Sequence, residues 1–533
     1  MLIATRSYYA RKREEWIASD STPEYLIKAE QVLIKESNRV KEYLNHTTES
    51  KLLEVVEDEI LCQVQNALLT KEGSGCMVLL ANDKSEDLQR MYKLFARLEN
   101  GLLPMATIVQ TYISSLGHEV LNQRKARLDG GEKDKNDDPE FIKSLLALHD
   151  KYLGVIKTDF SGNPVFQKAL KEAFVDFVNK DVGEFTNAEF MSSFCDRVLK
   201  SGGEKLSETE VEESLEKVVQ LFSYLTEKDR FVEIYRNQLA KRLLNQRSNG
   251  TDTEKIMIGK LKIQCGAQFT QKLEGMLVDL AVSSDQKNEF DKKMKEERSR
   301  IDFGVQVLAA GNWPSYQAPE VAIPQEMEDC LSIFKKWHND RYKDRKLNWI
   351  FSQGNASVTF HGNKTYDLQV TTLQAIALNA LNGGKTLTFT ELKEVLNLED
   401  PILKPLMHSL SCGKYKVVSK SPANNKINPS DSFKANADFK CKLRKIRIPM
   451  ASLETSHNTK RVEEDRANAI EASIVRIMKA RKTLKHQQLQ AEVLSQLAFF
   501  RPNPRVIKKR IESLIEREYL ERSADNSQVY NVS

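Results

Sequence analysis

Cysteine is sparse in this 533-residue chain and scattered where it occurs, at Cys62, Cys76, Cys195, Cys265, Cys330, Cys412 and Cys441. No CxxC pair is present and none of the seven gathers with the eight histidines. Neither a zinc knuckle nor a disulfide framework is therefore indicated. No apolar run approaches the roughly 20 residues that a bilayer span needs. The opening MLIATRSYYARKREEW lacks the apolar stretch and small-residue cleavage site of a secretory signal, so a soluble intracellular protein is expected. No Gly-rich phosphate loop, HExxH or nucleophile elbow is found, which leaves nucleotide hydrolysis, zinc proteolysis and serine hydrolysis without support. No cofactor or metal is expected. Charge of one sign barely exceeds the other, 80 basic against 75 acidic residues for a net +5, and this surplus does not by itself argue for nucleic acid.

Hydrophobic residues make up 40% and charged residues 29%, a balance that folds in water. The length exceeds what one hydrophobic core usually spans, so about three or four domains are expected. Up to about Arg300 the chain reads as helices joined by polar turns. The clearest segment places Val211, Leu215, Val218, Val219, Phe222 and Leu225 at helical spacing, with Ser207 and Glu210 forming a capping box before them. Similar stripes recur at Leu52 to Leu69, Leu88 to Leu102 and Phe166 to Phe177. Two polar interruptions punctuate the helices: Arg124 to Glu140 is expected as a flexible surface loop, and Asn245 to Glu254 as a helix separator.

After Gly311 the pattern changes. Three short β-prone runs, Leu347 to Phe351, Ser357 to Phe360 and Tyr366 to Val370, are joined by the turns SQGN and HGNK, and predict a small antiparallel meander. Helices at Thr371 to Leu381, Thr390 to Leu396 and Ile402 to Leu410, then an extended run at Tyr415 to Val418, predict a winged-helix-like unit. The last stretch repeats this arrangement. Helices at about Val462 to Arg481, Gln487 to Phe499 and Pro504 to Glu518 precede a hairpin of Tyr519 to Arg522 and Val529 to Val532 around SADNSQ, the pattern of a winged helix.

Three readings of these pieces can be weighed on the residues themselves. A winged helix can bind duplex DNA through its third helix, but RVIKKRIESLIERE carries five basic and three acidic residues, a mixture better suited to a protein partner. His408 and Cys412 stand at i and i+4 and could support thioester chemistry, although cysteine on an apolar helix face is ordinarily core packing. A plain helical-repeat interaction protein would account for the first three hundred residues and not for the last domain.

The stretch LSETEVEESLEKVVQLFSYLTEKDRFVEIYRNQLAKRLL, continuing into MIGKLKIQCGAQFTQKLEGMLVDL, resembles the signature of the cullin helical bundle. Upstream, SGCMVLLANDKSEDLQRMYKLF and FCDRVLKSGG resemble helical cullin repeats, most closely of the cullin-1 type. Downstream, LNWIFSQGNASV and LMHSLSCGKYKV resemble the cullin α/β and first winged-helix segments. EASIVRIMKARKTLKHQQLQAEVLSQL with VIKKRIESLIEREYLER resembles the terminal winged helix that carries the neddylation lysine. The resemblance runs from about Thr5 to the end.

It implies a mainly α fold: helical cullin repeats over 1–205, a four-helix bundle over 206–335, an α/β domain with a first winged-helix-like unit over 336–450, and a C-terminal winged helix over 451–533. It further implies a non-catalytic scaffold of a cullin-RING ubiquitin ligase. Implied partners are a RING-box protein, a ubiquitin-conjugating E2 held by it, the ubiquitin-like modifier Nedd, a cullin exchange factor and the signalosome deneddylase, in the cytoplasm and nucleus. The first helical repeat of the family, which docks the adaptor and F-box receptor, has no counterpart in this sequence, so the resemblance carries no expectation of adaptor binding. A regulatory or inactive cullin form without adaptor binding is the nearest alternative to the active scaffold.

Lys479 is the implied modification site, and helical geometry agrees. With Ile470 at zero on a wheel of about 100° per residue, Ile474 falls near 40°, Ile477 near 340° and Lys479 near 180°, pointing away from the core. The RING-box protein of this family adds a strand to the α/β domain, a recognition mode in which backbone groups pair and side-chain pockets select. The candidate receiving segment holds Leu347, Trp349, Phe351, Val358 and Leu368.

Overall fold

Helix starts in this chain follow a recurring local device. Ser21, Asp138, Asn163 and Asn503 each accept a hydrogen bond from a backbone amide of the first turn, and each is followed by a proline at the first or second helical position. The side-chain oxygen satisfies an orphan donor, while proline's fixed φ costs nothing where its missing N–H has no partner to lose. Ser207 closes the expected capping box with Glu210 at the head of Glu208–Ser223.

The computed structural model describes residues 1–533 except 131–137, 184, 204–205, 295–300, 317, 363, 451–457, 498–499, 501, 524–525, 527 and 533. The chain divides into two units, one of residues 1–235, 252–266 and 467–533, the other of residues 236–251 and 267–466.

In the first unit, helices Leu2–Ser19, Thr22–Tyr43 and Glu49–Ile60 pack together, and Leu102–Asp129 lies along Pro164–Val178. The second pairing is filled by aromatic residues: Phe166, Phe174 and Phe177 are fully buried, and Phe160 stacks on Phe166 with ring centroids 4.2 Å apart. The expected loop at Arg124 to Glu140 needs correction. The helix Leu102–Asp129 runs through its first part, and Arg124 is fully buried beside Asp138 at 3.2 Å, an acid that also reaches Arg127. The carboxylate draws these charged residues into the helix and caps the next one, Pro139–Thr158. The middle of that interruption lies outside the described residues.

The C-terminal part of this unit has its own core. Ile470, Ile474, Ile477 and Met478 meet Leu489, Val493, Ile507, Ile511 and Leu514. Above them lies a three-stranded sheet with Val529–Val532 between Thr483–Lys485 and Leu520–Arg522. Three helices and a small sheet make the expected winged helix. The strand Thr483–Lys485 was not anticipated, and part of the turn SADNSQ lies outside the described residues.

In the second unit, helices Ala267–Met294 and Gln325–Arg341 precede two small sheets over one core. Asn355–His361 pairs antiparallel with Thr365–Thr371, whose Tyr366, Leu368 and Val370 point inward while the alternate residues are exposed. Lys445–Arg447 then joins the free side of Thr365–Thr371 in parallel. The predicted three-stranded meander is thus corrected. Leu347 to Phe351 is not a strand: among the described residues it joins no ladder, and it enters a 3-10 turn at Phe351–Gln353. Of the joining turns, Asn363 lies outside the described residues. The second sheet places Ser432–Ala435 between Thr386–Thr388 and Val418–Ser421, closing helices Thr372–Ala380, Phe389–Leu396 and Asp400–Ser411 into the expected winged-helix-like unit.

Candidate functional site

Lys479 stands in the last turn of Asn458–Arg481, where a cation complements the helix's negative end. Ile470, Ile474 and Ile477 are at most 3% exposed, whereas Lys479 is exposed, as the helical wheel requires. The helix stops at Lys482, whose φ of +68° turns the chain while its amide donates to the Met478 carbonyl at 2.7 Å. Lys479 therefore projects from a terminus that is pinned on both sides, since the strand Thr483–Lys485 follows at once.

Beside it runs an open groove of about 510 Å³ lined by Val475, Arg476, Leu514, Arg517 and Tyr519 among others. Glu471 closes one end by pairing with Arg510 at 3.5 Å and with Arg517. The ion pair raises the Arg517 pKa, chiefly through its hydrogen bond to Glu471. These contacts tie the first and third helices of the winged helix together behind the lysine. The amine itself is reachable from solvent, the one geometric property an acceptor of an isopeptide bond needs.

The five residues predicted for the partner strand divide between two cores. Leu368 is fully buried in the core under the first sheet, with Phe351 and Val358 half-buried against it. Leu347 and Trp349 pack instead on Phe290, Phe334 and Trp337, a cluster between helices Ala267–Met294 and Gln325–Arg341. Phe334 lies 4.9 Å from Phe290 and 6.1 Å from Trp349, centroid to centroid.

Sequence reasoning missed the segment that shares this cluster. Phe303, Val305 and Val307 pack on it too, alternating with exposed Asp302, Gly304 and Gln306. The period of two was the available signal. The amides of Val307 and Ala309 donate to Ser283 and Asp279 side chains, which lay the segment along helix Ala267–Met294. Lys346, Leu347, Asn348, Trp349 and Ile350 show the same alternation, exposed, half-buried, exposed, half-buried, exposed. Among the described residues neither segment belongs to a β ladder. Two strand-like stretches without strand partners thus converge on one aromatic cluster.

The i, i+4 pair behaves differently from either sequence reading. The Cys412 thiol donates to the Asn424 carbonyl at 3.5 Å, and the His408 side chain is exposed on the helix surface. Among the described residues no group of three or more His, Cys, Asp or Glu side chains could hold a metal ion, and no helix is long and apolar enough to cross a membrane.

A helical part, an α/β part and a terminal winged helix follow one another along the chain, and three family models match it in the same order. The cullin alpha solenoid domain matches residues 1–287, the cullin alpha+beta domain residues 307–439, and the cullin protein neddylation domain residues 465–526. This chain belongs to the cullin family. It is 44% identical over 514 residues to Cullin-1 of Oryza sativa subsp. japonica, covering 94% of this chain and 69% of that protein. It is 40% identical to Cullin-2 of Arabidopsis thaliana, covering 99% and 73% of the two. For Cullin-3A of Arabidopsis thaliana the identity is 37%, covering 99% and 72%.

Proposed function

We propose that this chain is a non-catalytic scaffold of a cullin-RING ubiquitin ligase, that it holds a RING-box protein through its α/β region, and that attachment of the modifier Nedd at Lys479 regulates it. The observation that carries the reading is the pair of segments with alternating burial, Phe303 to Val307 and Leu347 to Trp349, which pack on one aromatic cluster and join no ladder among the described residues. Apart from the Val307 amide, which the Ser283 hydroxyl holds, their backbone groups are offered to an added strand, and the cluster beneath gives it an apolar floor. The bound RING subunit recruits a charged E2, and holding the two together raises the transfer rate through proximity. Packed helices fix the distance between sites because close-packed interiors deform little. The modifier on Lys479 then shifts the terminal winged helix between two placements, each with its own contacts. An exchange factor and the signalosome deneddylase act on the two forms in the cytoplasm and nucleus.

The test is co-expression of the full chain with a RING-box protein, followed by exposure to the modifier and its conjugating enzymes and mass analysis of the intact complex. A one-to-one complex carrying one modifier is expected. The Lys479→Arg chain should keep the RING subunit and its thermal stability, since an exposed substitution of like charge changes stability by no more than about 0.5 kcal/mol, and should lose the modifier. A chain that captures no RING subunit, or a modified Lys479→Arg chain, refutes the corresponding half.

A further inference from the structure

The sequence contains three Asn–Gly pairs, Asn100–Gly101, Asn249–Gly250 and Asn382–Gly383. Glycine has no side chain to shield its amide nitrogen, so in each pair that nitrogen can approach the carbonyl carbon of the preceding side chain. The fold treats the three differently. Gly101 is buried, and its amide is held by the Leu98 carbonyl at 3.2 Å. At Asn249–Gly250 both residues are exposed, and the bond made there, from the Ser248 hydroxyl to the Gly250 carbonyl at 3.3 Å, leaves the Asn249 side chain out. At Asn382–Gly383 both are exposed as well, but here the Gly383 amide donates to Asn382 Oδ1 at 2.9 Å.

This bond aims the nitrogen at the carboxamide of the residue before it. Once base removes the amide proton, the electron pair left in its place faces Oδ1, and Cγ is one bond further. Attack joins the Gly383 nitrogen to Asn382 Cγ, the Cγ–Nδ2 bond breaks, and the amine departs as ammonia with a proton from water. Water then opens the five-membered imide at one of its two carbonyls and leaves aspartate or isoaspartate. A nucleophile already held beside its target does not pay the entropy of finding it. Around Gly383 and Gly384 a Cβ would meet nothing within 4 Å, which leaves the turn room for the rotation that ring closure needs.

Asn382–Gly384 links helix Thr372–Ala380 to strand Thr386–Thr388, with Leu381 fully buried before it and Thr388 capping Phe389–Leu396 after it. An isoaspartate routes the chain through its side-chain carbon and so adds one methylene to the backbone of this short link. We propose that Asn382 is a modification site: it cyclises on Gly383, opens to isoaspartate, loosens Thr386–Thr388 from Ser432–Ala435, and becomes a substrate for an isoaspartate-directed carboxyl methyltransferase. The winged-helix-like unit then carries a chemical record of the chain's age, written just before its first strand. This chemistry depends neither on the RING subunit nor on Lys479.

The experiment ages the full chain at mildly alkaline pH, as wild type and as Asn382→Gln, and follows each Asn–Gly peptide by mass analysis for conversion of amide to acid. Isoaspartate is counted by methyl transfer from labelled S-adenosylmethionine with a purified isoaspartate carboxyl methyltransferase. Asn382 should convert about tenfold faster than Asn249, because its nucleophile is already in place. Asn100 should convert more slowly than either. The methyl label should fall by most of its amount in Asn382→Gln, whose longer side chain would have to close a six-membered ring. Hydrogen exchange at Thr386–Thr388 should be faster in aged wild type than in fresh, and unchanged in fresh Asn382→Asp, which gains the charge without the methylene. Conversion at Asn382 no faster than at Asn249 would overturn the site. Aged protein that carries the label yet exchanges at Thr386–Thr388 as fresh protein does would overturn the loosening.

Discussion

Two glycines inside neighbouring helices should respond to alanine with opposite signs. Gly117 lies in Leu102–Asp129 and Gly154 in Pro139–Thr158, and in both an alanine gains about 1 kcal/mol of helix propensity. At Gly154 a new methyl meets nothing within 4 Å, so that gain is kept. At Gly117 it would stand 2.2 Å from Cδ1, 2.3 Å from Cε1 and 2.5 Å from Cγ of Phe177. The ring has nowhere to turn: Phe177 is fully buried, with Phe174 at 4.7 Å and His118 at 6.2 Å. Contact with Cγ, close to the backbone, forces the helices apart.

Overpacking of this kind costs typically 1–3 kcal/mol, and a clash at the base of a confined ring belongs in the upper half of that range. With the propensity gain subtracted, Gly117→Ala should lose about 1–2 kcal/mol. Native-state hydrogen exchange on the full chain reads this locally. Amides of Leu102–Asp129 and Pro164–Val178 should exchange about tenfold faster in Gly117→Ala, a factor equivalent to about 1.4 kcal/mol. Those of Pro139–Thr158 should slow in Gly154→Ala. Equal or greater protection in Gly117→Ala would refute the claim that the missing side chain sets the spacing of this helix pair.

Ser207→Ala removes the acceptor for the Glu210 amide and should cost about 1 kcal/mol, seen as faster exchange confined to the first turn of Glu208–Ser223. His149 is 3% exposed, hydrogen-bonded to the Tyr224 hydroxyl at 2.9 Å, and burial lowers its pKa. The unfolded chain therefore binds the proton first as pH falls, so this contribution is complete above the unfolded value of about 6.5 and declines below it until the folded ring also titrates. Thermal melts between pH 5 and 7.5 should show His149→Phe with a flatter dependence than wild type; equal slopes would contradict the assignment.

The elements legible in advance were those whose causes lie within one turn of chain. Ser207 with Glu210, the isoleucine stripe of the terminal winged helix, and the outward placement of Lys479 all follow from residues three and four apart. Errors arose where the cause was distant. Leu347 to Phe351 has a strand's alternation, and the alternation is real, but pairing depends on a neighbour that local pattern does not supply. The same period in Phe303 to Val307 went unread between Arg300 and GNWPSYQAP. Arg124 looked like the start of a charged loop until Asp138 was found to bind it.

From the residues alone came the helical class of the first three hundred positions, the winged helix at the end and the direction in which its lysine points, because helical period and caps are local physics. The tertiary structure alone decided which extended segments pair, which stay open, and that Leu347 and Trp349 belong to a different core from Leu368. Strands of three residues such as Lys445–Arg447 and Thr483–Lys485 carry too little pattern to announce themselves. Their hydrogen bonds are made with residues far away in the chain, and only the folded molecule brings those partners within reach.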